Sequence, residues 1–406
     1  MRVLVITQYF RPETFRINDV VESLREAACN VIVLTGQPNY PDGKVFSGYR
    51  AWGAGRDARE SAVTVFRVPV VPRGRGAGWR LAANYLSFVV GASLFGPWLL
   101  RRERFDVIFV YGISPILQAV PGILLKRLKR AALVTWVQDL WPQSLEVTGF
   151  VRNHWLLSCV ASIVRWIYRH NDLLLVQSRA FVPIVQSMAG GVLVRYHPNP
   201  GDLSFDQDVQ PGSPAITLEP GFNVVFAGNL GTVQALDTVL GAAERLLEHR
   251  EIHIVLLGSG SRGNWLMHEA TRRGLSNVRF AGRVAPEAMP AILAQASALL
   301  VTLVRNPAMS QTIPSKVQAY LAAGRPVIAC LDGEGARVIE ESGAGIVCAA
   351  EDSVALAQAV LRLRAMSDLE RRRMGDSGRG YYRRHFDPRS LADGLVEHFI
   401  GAMNEQ

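Results

Sequence analysis

Short apolar runs of strand length alternate with helical patterns along almost the whole chain, the rhythm that produces β-α-β crossovers and parallel sheets. In the first half the runs fall at Val3–Tyr9, Val31–Thr35, Thr64–Val70, Val107–Tyr111, Leu133–Val137, Leu173–Gln177 and Leu193–Tyr196. Helical spacing occupies Ile17–Ala28, Leu81–Arg102, Ile116–Arg130 and Trp155–His170 between them. The alternation stops over residues 197–221, HPNPGDLSFDQDVQPGSPAITLEPG, which are rich in Pro, Gly, Asp and Ser without periodicity, as an inter-domain linker is. It resumes with strands expected at Val224–Ala227, His253–Leu257, Val278–Ala281, Ala298–Leu303, Val327–Leu331 and Gly345–Val347, and helices near 233–249, 262–273, 286–296, 315–323, 335–342 and 353–366.

At 406 residues the chain is long for one core and comfortable as two. The fold class is therefore α/β, with two Rossmann-like domains facing across a cleft at the carboxyl ends of their strands. The expected division is 1–200, a linker at 201–221, a second domain at 222–367, and C-terminal helices at 368–406 packing back toward the first domain.

Four cysteines lie far apart with no CxxC and no nearby histidine pair. That spacing argues against a zinc site or a disulfide framework and suits a reducing, cytoplasmic compartment. The formal charge is +9, which fits nucleic acid, an anionic membrane or phosphorylated small molecules. The arginines are mostly scattered and no nucleic-acid-binding signature accompanies them, so nucleic acid is excluded as a partner. MRVLVITQYF has the character of a strand and not of a signal peptide. Leu81–Leu100, LAANYLSFVVGASLFGPWLL, is uncharged and flanked by arginines on both sides. It is long enough to span a bilayer, but its Asn, Ser, Gly and Pro residues favour a buried or membrane-surface helix.

The segment richest in chemistry is FNVVFAGNLGTVQALDTVL, Phe222–Leu240. An apolar strand enters Gly228-Asn229-Leu230-Gly231 and a helix follows. Glycines admit close approach of a phosphate, and a helix N-terminus offers free N–H groups and positive potential. A tight β-α turn packed for its own sake is the alternative. A second glycine turn, LGSGSRG, contains Gly258, Gly260 and Gly263 in GxGxxG spacing. It sits on the second strand of its domain and lacks the acid about 20 residues on that a dinucleotide site needs. It reads better as a second phosphate- or ribose-facing loop, with Arg262 as a counter-charge or as a solvated helix start. In RNPAMSQTIPSKVQAYLAAGRPVIACL, Pro314 and Ser315 open a helix and Lys316 sits in its first turn, where the dipole disfavours a cation. A use for that charge, meeting a diphosphate, competes with an ordinary surface lysine. Asp332–Ala336 opens another helix, with Glu334, Gly335 and Ala336 as a cradle for sugar hydroxyls.

The order AGNLG, LLGSG, VRFAGRV, PSKVQAYLAAGRPVIA, GEGARVIEESGAGIVCAAED resembles glycosyltransferase family 4. ITQYFRPETFRINDVVESL, TGQPNYPDGKVFSGY and VQDLWPQS are similar to the WbuB-like transferases of O-antigen, capsule and colanic-acid synthesis, many described as L-fucosamine transferases. The resemblance covers nearly the whole chain. It implies a GT-B fold, retaining transfer from a UDP-sugar without a metal or other cofactor, and a sugar on a polyprenyl diphosphate as acceptor. A lipid-linked acceptor puts the enzyme on the cytoplasmic face of the membrane. The resemblance also implies that Arg283 and Val284 lie near the base, Gly228–Gly231 and Lys316 near the diphosphate, and Glu334–Ala336 near the donor sugar.

Two departures stand out. The family's Arg and Lys after the first strand of this domain fall on Asn229 and Gln234, and its paired glutamates on Gln311 and Ala319. Positive charge must then come from Lys316, Arg262 and Arg283. In the first half, Asp139 follows a buried strand in QDLWP, where it either orients an acceptor hydroxyl or caps a helix. Tyr9, Arg11, Arg16 and Asn18, in the loop Tyr9–Asp19, are candidate acceptor contacts, with Arg11 and Arg16 facing a carrier diphosphate or simply lying on the surface. Competing functions are a nucleotide-sugar epimerase, an NAD-dependent dehydrogenase resting on Gly258–Gly263 alone, and a sugar-nucleotide-binding module without catalysis.

Overall fold

The computed structural model describes residues 1–60, 62–74, 78–147, 153–201 and 216–405. Most of the expected linker, 202–215, lies outside them. The chain divides into two compact units, Met1–Pro198 with Leu391–Gln406, and Asn199–Ser390.

The first unit is built on eight strands: β1 Arg2–Ile6, β2 Asn30–Gly36, β3 Gly55–Arg56, β4 Thr64–Val68, β5 Val107–Gly112, β6 Ala132–Val137, β7 Leu173–Val176 and β8 Leu193–Tyr196. They lie in the order β3-β4-β2-β1-β5-β6-β7-β8. Every pairing is parallel except β3 with β4. The central strands are unbroken apolar runs because both faces are covered: β5 and β6 are buried at every position. One face packs Phe88, Ile123, Val164, Ile167 and Val185. The other packs Val21, Leu24, Phe109 and Trp136 with Leu395 and Phe399 from the last helix, whose Phe399 ring lies 5.2 Å from that of Phe109.

The second unit has six parallel strands, β9 Phe222–Ala227, β10 Ile252–Leu257, β11 Val278–Gly282, β12 Ala298–Thr302, β13 Val327–Cys330 and β14 Gly345–Cys348. Their order is β11-β10-β9-β12-β13-β14, so the sequence doubles back between β11 and β12, on either side of β9. Ligands in open parallel sheets collect at the carboxyl ends of strands beside such a switch. That location makes the turn after β9 the place to look.

All thirteen expected strands are present. The additional strand, β3, is two residues long and has no apolar run to announce it. The helix expected at 233–249 is interrupted. Thr232–Gln234 forms one 3-10 turn, Ala235 takes a left-handed conformation (φ 47°, ψ 41°), and the α-helix runs Leu236–Arg245. The C-terminal region separates into two helices. Asp368–His385 belongs to the second unit, with Tyr381 and Tyr382 in its core. Pro388–Asn404 contributes its residues from Leu391 onward to the first.

Candidate active site

Strand β9 ends at Ala227, and its next residue, Gly228, has φ 146°. A Cβ there would lie 2.4 Å from Lys316 Cε, so the lysine stem crosses directly over a bare backbone. The following amides alternate. Gly228 N–H donates to Leu257 C=O (2.9 Å) and Leu230 N–H to Ser259 C=O (2.9 Å). Among the described residues, the N–H groups of Asn229 and Gly231 have no protein acceptor. Two uncommitted amides in a glycine turn form a concavity suited to an anion.

Helix Ser315–Ala323 brings Lys316 to this turn. One helical turn beyond the lysine, the buried Tyr320 hydroxyl accepts from Ala227 N–H (2.9 Å) and donates to Ala227 C=O (3.3 Å). These two bonds fix the helix against the end of β9. Lys316 Nζ lies 3.9 Å from the Phe226 ring centroid and donates to Gln234 Oε1. Burial pushes its ammonium down to about 7, since desolvation penalises the charged form. Pro314 is the N-cap and no side chain caps this helix, so Ser315, at the first helical position and exposed, does not play the capping part expected of it.

Several expected contacts have other partners. Gly258 (φ 132°) and Gly260 serve the mutual packing of the two glycine turns. A Cβ on Gly258 would sit 1.8 Å from Gly228 O, and one on Gly260 would sit 2.5 Å from Leu230 O. The first two glycines of the GxGxxG spacing are thus explained by backbone against backbone, whereas a Cβ on Gly263 would meet only Leu230 Cδ1, at an ordinary 3.7 Å. Arg262 is bidentate to Asp237 (2.7 and 3.1 Å) and lies over the Trp265 ring, so it is not a free counter-charge. Arg283 is exposed and makes no ion pair among the described residues. Val284 packs on the core beside it. Glu334 is buried and bidentate with Arg337 (3.1 and 2.8 Å). Both oxygens of this carboxylate, expected to face sugar hydroxyls, are thus already engaged within its own helix. A Cβ on Gly335 would lie 3.0 Å from Pro314 Cδ, so glycine lets the two helix starts touch, and Ala336 is buried behind it. Of the positions aligned with the family's glutamates, Gln311 closes the short helix Pro307–Ser310 and Ala319 packs on the core.

In the first unit, Asp139 follows β6 and its Oδ2 accepts from Ser114 N–H (3.1 Å) and Ser114 Oγ–H (2.9 Å). Trp141 Nε1 donates to the same Ser114 Oγ (3.0 Å). Asp139 is therefore a half-buried carboxylate that ties the ends of β5 and β6 together, with its other oxygen unassigned in these bonds. Tyr9 is buried, stacks on Phe15 at 4.9 Å, and donates to Asn84 Oδ1 (3.2 Å). Burial also raises its pKa. Arg11 pairs with Glu22 (3.2 Å) and Glu60 (3.9 Å). Asn18 donates to Glu13 C=O (2.7 Å), and Arg16 stands at the start of helix Ile17–Glu26. The organising group of this loop is Glu13, which sequence reading missed. Its carboxylate accepts from Asn39, Tyr40 and Phe10 N–H groups (2.8, 2.7 and 3.3 Å). Burial pushes it up to about 7, against those bonds. Nothing in PETF distinguishes a buried glutamate from a surface one.

Residues 14–200 match the glycosyl transferase 4-like domain and residues 221–365 the group 1 glycosyl transferases. WcaI of Escherichia coli (strain K12), a glycosyl transferase assigned to colanic acid biosynthesis, is 27% identical over 339 residues, 80% of this chain and 82% of its own. The glycosyltransferase WbjE of Pseudomonas aeruginosa is 25% identical over 297 residues, 69% of this chain and 72% of its own. Among solved structures, Anabaena Alr3699/HepE in complex with UDP has a TM-score of 0.70 at 15% identity, covering 99% of this chain and 100% of that one. The trehalose 6-phosphate synthase of Burkholderia multivorans has a TM-score of 0.72 at 14% identity, covering 100% and 99%. Two parallel α/β units, and two family domains that together span most of the sequence, lead to one conclusion: the chain is a glycosyltransferase of the GT-B fold and belongs to glycosyltransferase family 4.

Proposed function

We propose that this glycosyltransferase moves a sugar, an N-acetylated amino-deoxyhexose such as L-FucNAc, from a UDP-sugar to a saccharide on a polyprenyl diphosphate during O-antigen or capsule assembly, with retention. The observation that carries the donor half is Lys316 lying over the Gly228 turn, beside the free amides of Asn229 and Gly231. A diphosphate in this turn would take two amide N–H groups and one ammonium, the donors that stabilise a leaving group as its charge develops. The reading includes no metal. UDP complexes of HepE, and the polysaccharide role assigned to WcaI, support it.

On the acceptor side, Asp139 is held by Ser114 in one orientation and serves to position the attacking hydroxyl. The lipid carrier places the protein on the inner face of the cytoplasmic membrane, bound peripherally. Among the described residues, no helix is long and apolar enough to cross a membrane. The test is transfer from a panel of UDP-, GDP- and dTDP-sugars to a lipid-linked acceptor, with and without a chelator. Transfer from a UDP-sugar that survives chelation supports the reading. Exclusive use of GDP- or dTDP-sugars, or loss of transfer with chelator, overturns it.

A further inference from the structure

Helix Gly78–Leu99 is apolar on two opposite faces. Asn84, Phe88, Gly91, Ala92 and Gly96 face the sheet, closely enough that a Cβ on Gly91 would lie 2.7 Å from Pro69 O. Leu86, Val90, Leu94 and Trp98, four residues apart, face outward and are exposed, Leu94 to 69%. A helix apolar all round is ordinarily buried on all sides. Here only the inner side is covered, among the described residues. Its two neighbours on the same face of the sheet repeat the pattern. Helix Val120–Lys129 exposes Leu124 and Leu128, and helix His154–Arg169 exposes Trp155, Ile163 and Trp166, while all three seat their inner faces in one core. The 3-10 turn Ile116–Ala119 touches the first and third of these helices, joining them into one layer.

Charge identifies the occupant. No Asp or Glu occurs in any of the three helices, which carry Arg80, Arg127, Arg165 and Arg169, besides Lys126, paired with Asp172 at 2.6 Å, and Lys129, whose Nζ donates to the Leu100 and Glu103 carbonyls. At each end of the longest helix an arginine lies against a tryptophan, Arg80 5.4 Å from the Trp79 ring and Arg101 4.8 Å from the Trp98 ring. Aromatic residues paired with basic ones are the anchors of a bilayer interface, and apolar stripes rimmed by arginine suit shallow insertion under anionic headgroups. We infer that this three-helix layer is the surface by which the first unit docks on an anionic lipid bilayer, with the outer stripes of all three helices in the acyl boundary. The inference rests on the membrane-surface reading above and names the face that fulfils it.

The full chain is to be sedimented with vesicles of phosphatidylcholine alone and of phosphatidylcholine with phosphatidylglycerol, alongside Leu94→Glu/Leu128→Glu and a control, Val354→Glu, exposed in the second unit. The wild type and the control bind the anionic vesicles, and the double variant partitions about tenfold or more weakly. Brominated lipids quench tryptophan fluorescence in the wild type and not in the double variant. Unchanged partition of the double variant overturns the inference. So does loss of a dimer in the double variant with no vesicle binding by the wild type, which would make the face a contact between copies. UDP binding stays at the wild-type level in the double variant. Vesicle binding by this face without any transfer to a lipid-linked acceptor would leave the docking surface standing and remove the proposed reaction.

Discussion

Lys316 and Gly228 are in contact across the mouth of the second sheet: the lysine stem passes where a Cβ of residue 228 would be, 2.4 Å from its Cε. The ammonium ends over Phe226 and on Gln234. Its closest neighbours are a ring, an amide oxygen and backbone, and among the described residues no carboxylate forms an ion pair with it. A buried cation so placed is held at a cost that an arriving anion relieves.

The pH dependence of donor binding follows. With its pKa near 7, Lys316 is part neutral at neutral pH, and only the charged form attracts a diphosphate. Binding of UDP raises that pKa, so a proton is taken up on binding and affinity falls as pH rises through 7, by up to about tenfold per unit. Calorimetry in buffers of different ionisation enthalpy, between about pH 6.5 and 8.5, measures the uptake. Lys316→Ala should bind UDP roughly 10- to 100-fold more weakly with no proton uptake, and an unchanged uptake would remove Lys316 from the site.

Tyr320→Phe deletes the hydroxyl that bonds both backbone groups of Ala227. A buried N–H loses its acceptor, which costs about 1–3 kcal/mol. Because the same helix carries Lys316, UDP affinity should fall together with thermal stability. A variant as stable as the wild type would show that the helix is held elsewhere.

The glycine turns separate folding from binding. Gly258→Ala places a methyl group 1.8 Å from Gly228 O in a backbone region that L residues avoid, so it should lower stability by several kcal/mol, of order 2–4. Gly231 has φ −107°, and a Cβ there meets the movable amide end of Asn229 at 2.7 Å. Gly231→Val should therefore stay folded and lose UDP affinity. Circular dichroism melts alongside UDP titrations distinguish the two outcomes.

Asp139→Asn keeps the shape and one acceptor for Ser114 but removes the charge. Turnover should fall by about 10²-fold or more with the Kd for UDP unchanged. Equal turnover in variant and wild type would reduce Asp139 to a fastener between two strand ends.

Glu13 governs a stability profile. Its pKa is raised from the usual 4.5 to about 7 in the fold, so between those values the unfolded chain has released a proton that the folded chain keeps. Stability then declines as pH rises from about 4.5 to about 7 and is flat, on this account, beyond it. Thermal melts across that range measure the decline, and Glu13→Gln should flatten it.

The strands were legible because burial on both faces demands continuous apolar runs, as in Val107–Tyr111 and Leu133–Val137. Gly228, Gly231 and Lys316 could be picked out as candidates as well, since glycines between a strand and a helix admit close approach and a cation in a first helical turn goes against local preference. Arg262 and Glu334 looked just as available, and were not. Each is held by a partner, Asp237 across two loops and Arg337 one turn along its own helix, and sequence shows residue types without showing which charges meet.

The alternation of apolar runs by itself determined two parallel sheets, their strands and the glycine turn that follows β9, because backbone hydrogen bonding and burial act through periodicity. Only the tertiary structure decided which polar groups remain open there. It closed Gly258 and Gly260 against a neighbouring backbone, engaged Glu334, and left Lys316 over a glycine with two idle amides beside it. Those outcomes depend on approach distances between segments far apart in the chain, such as residues 228 and 316, and pairwise contact of that kind has no period to read.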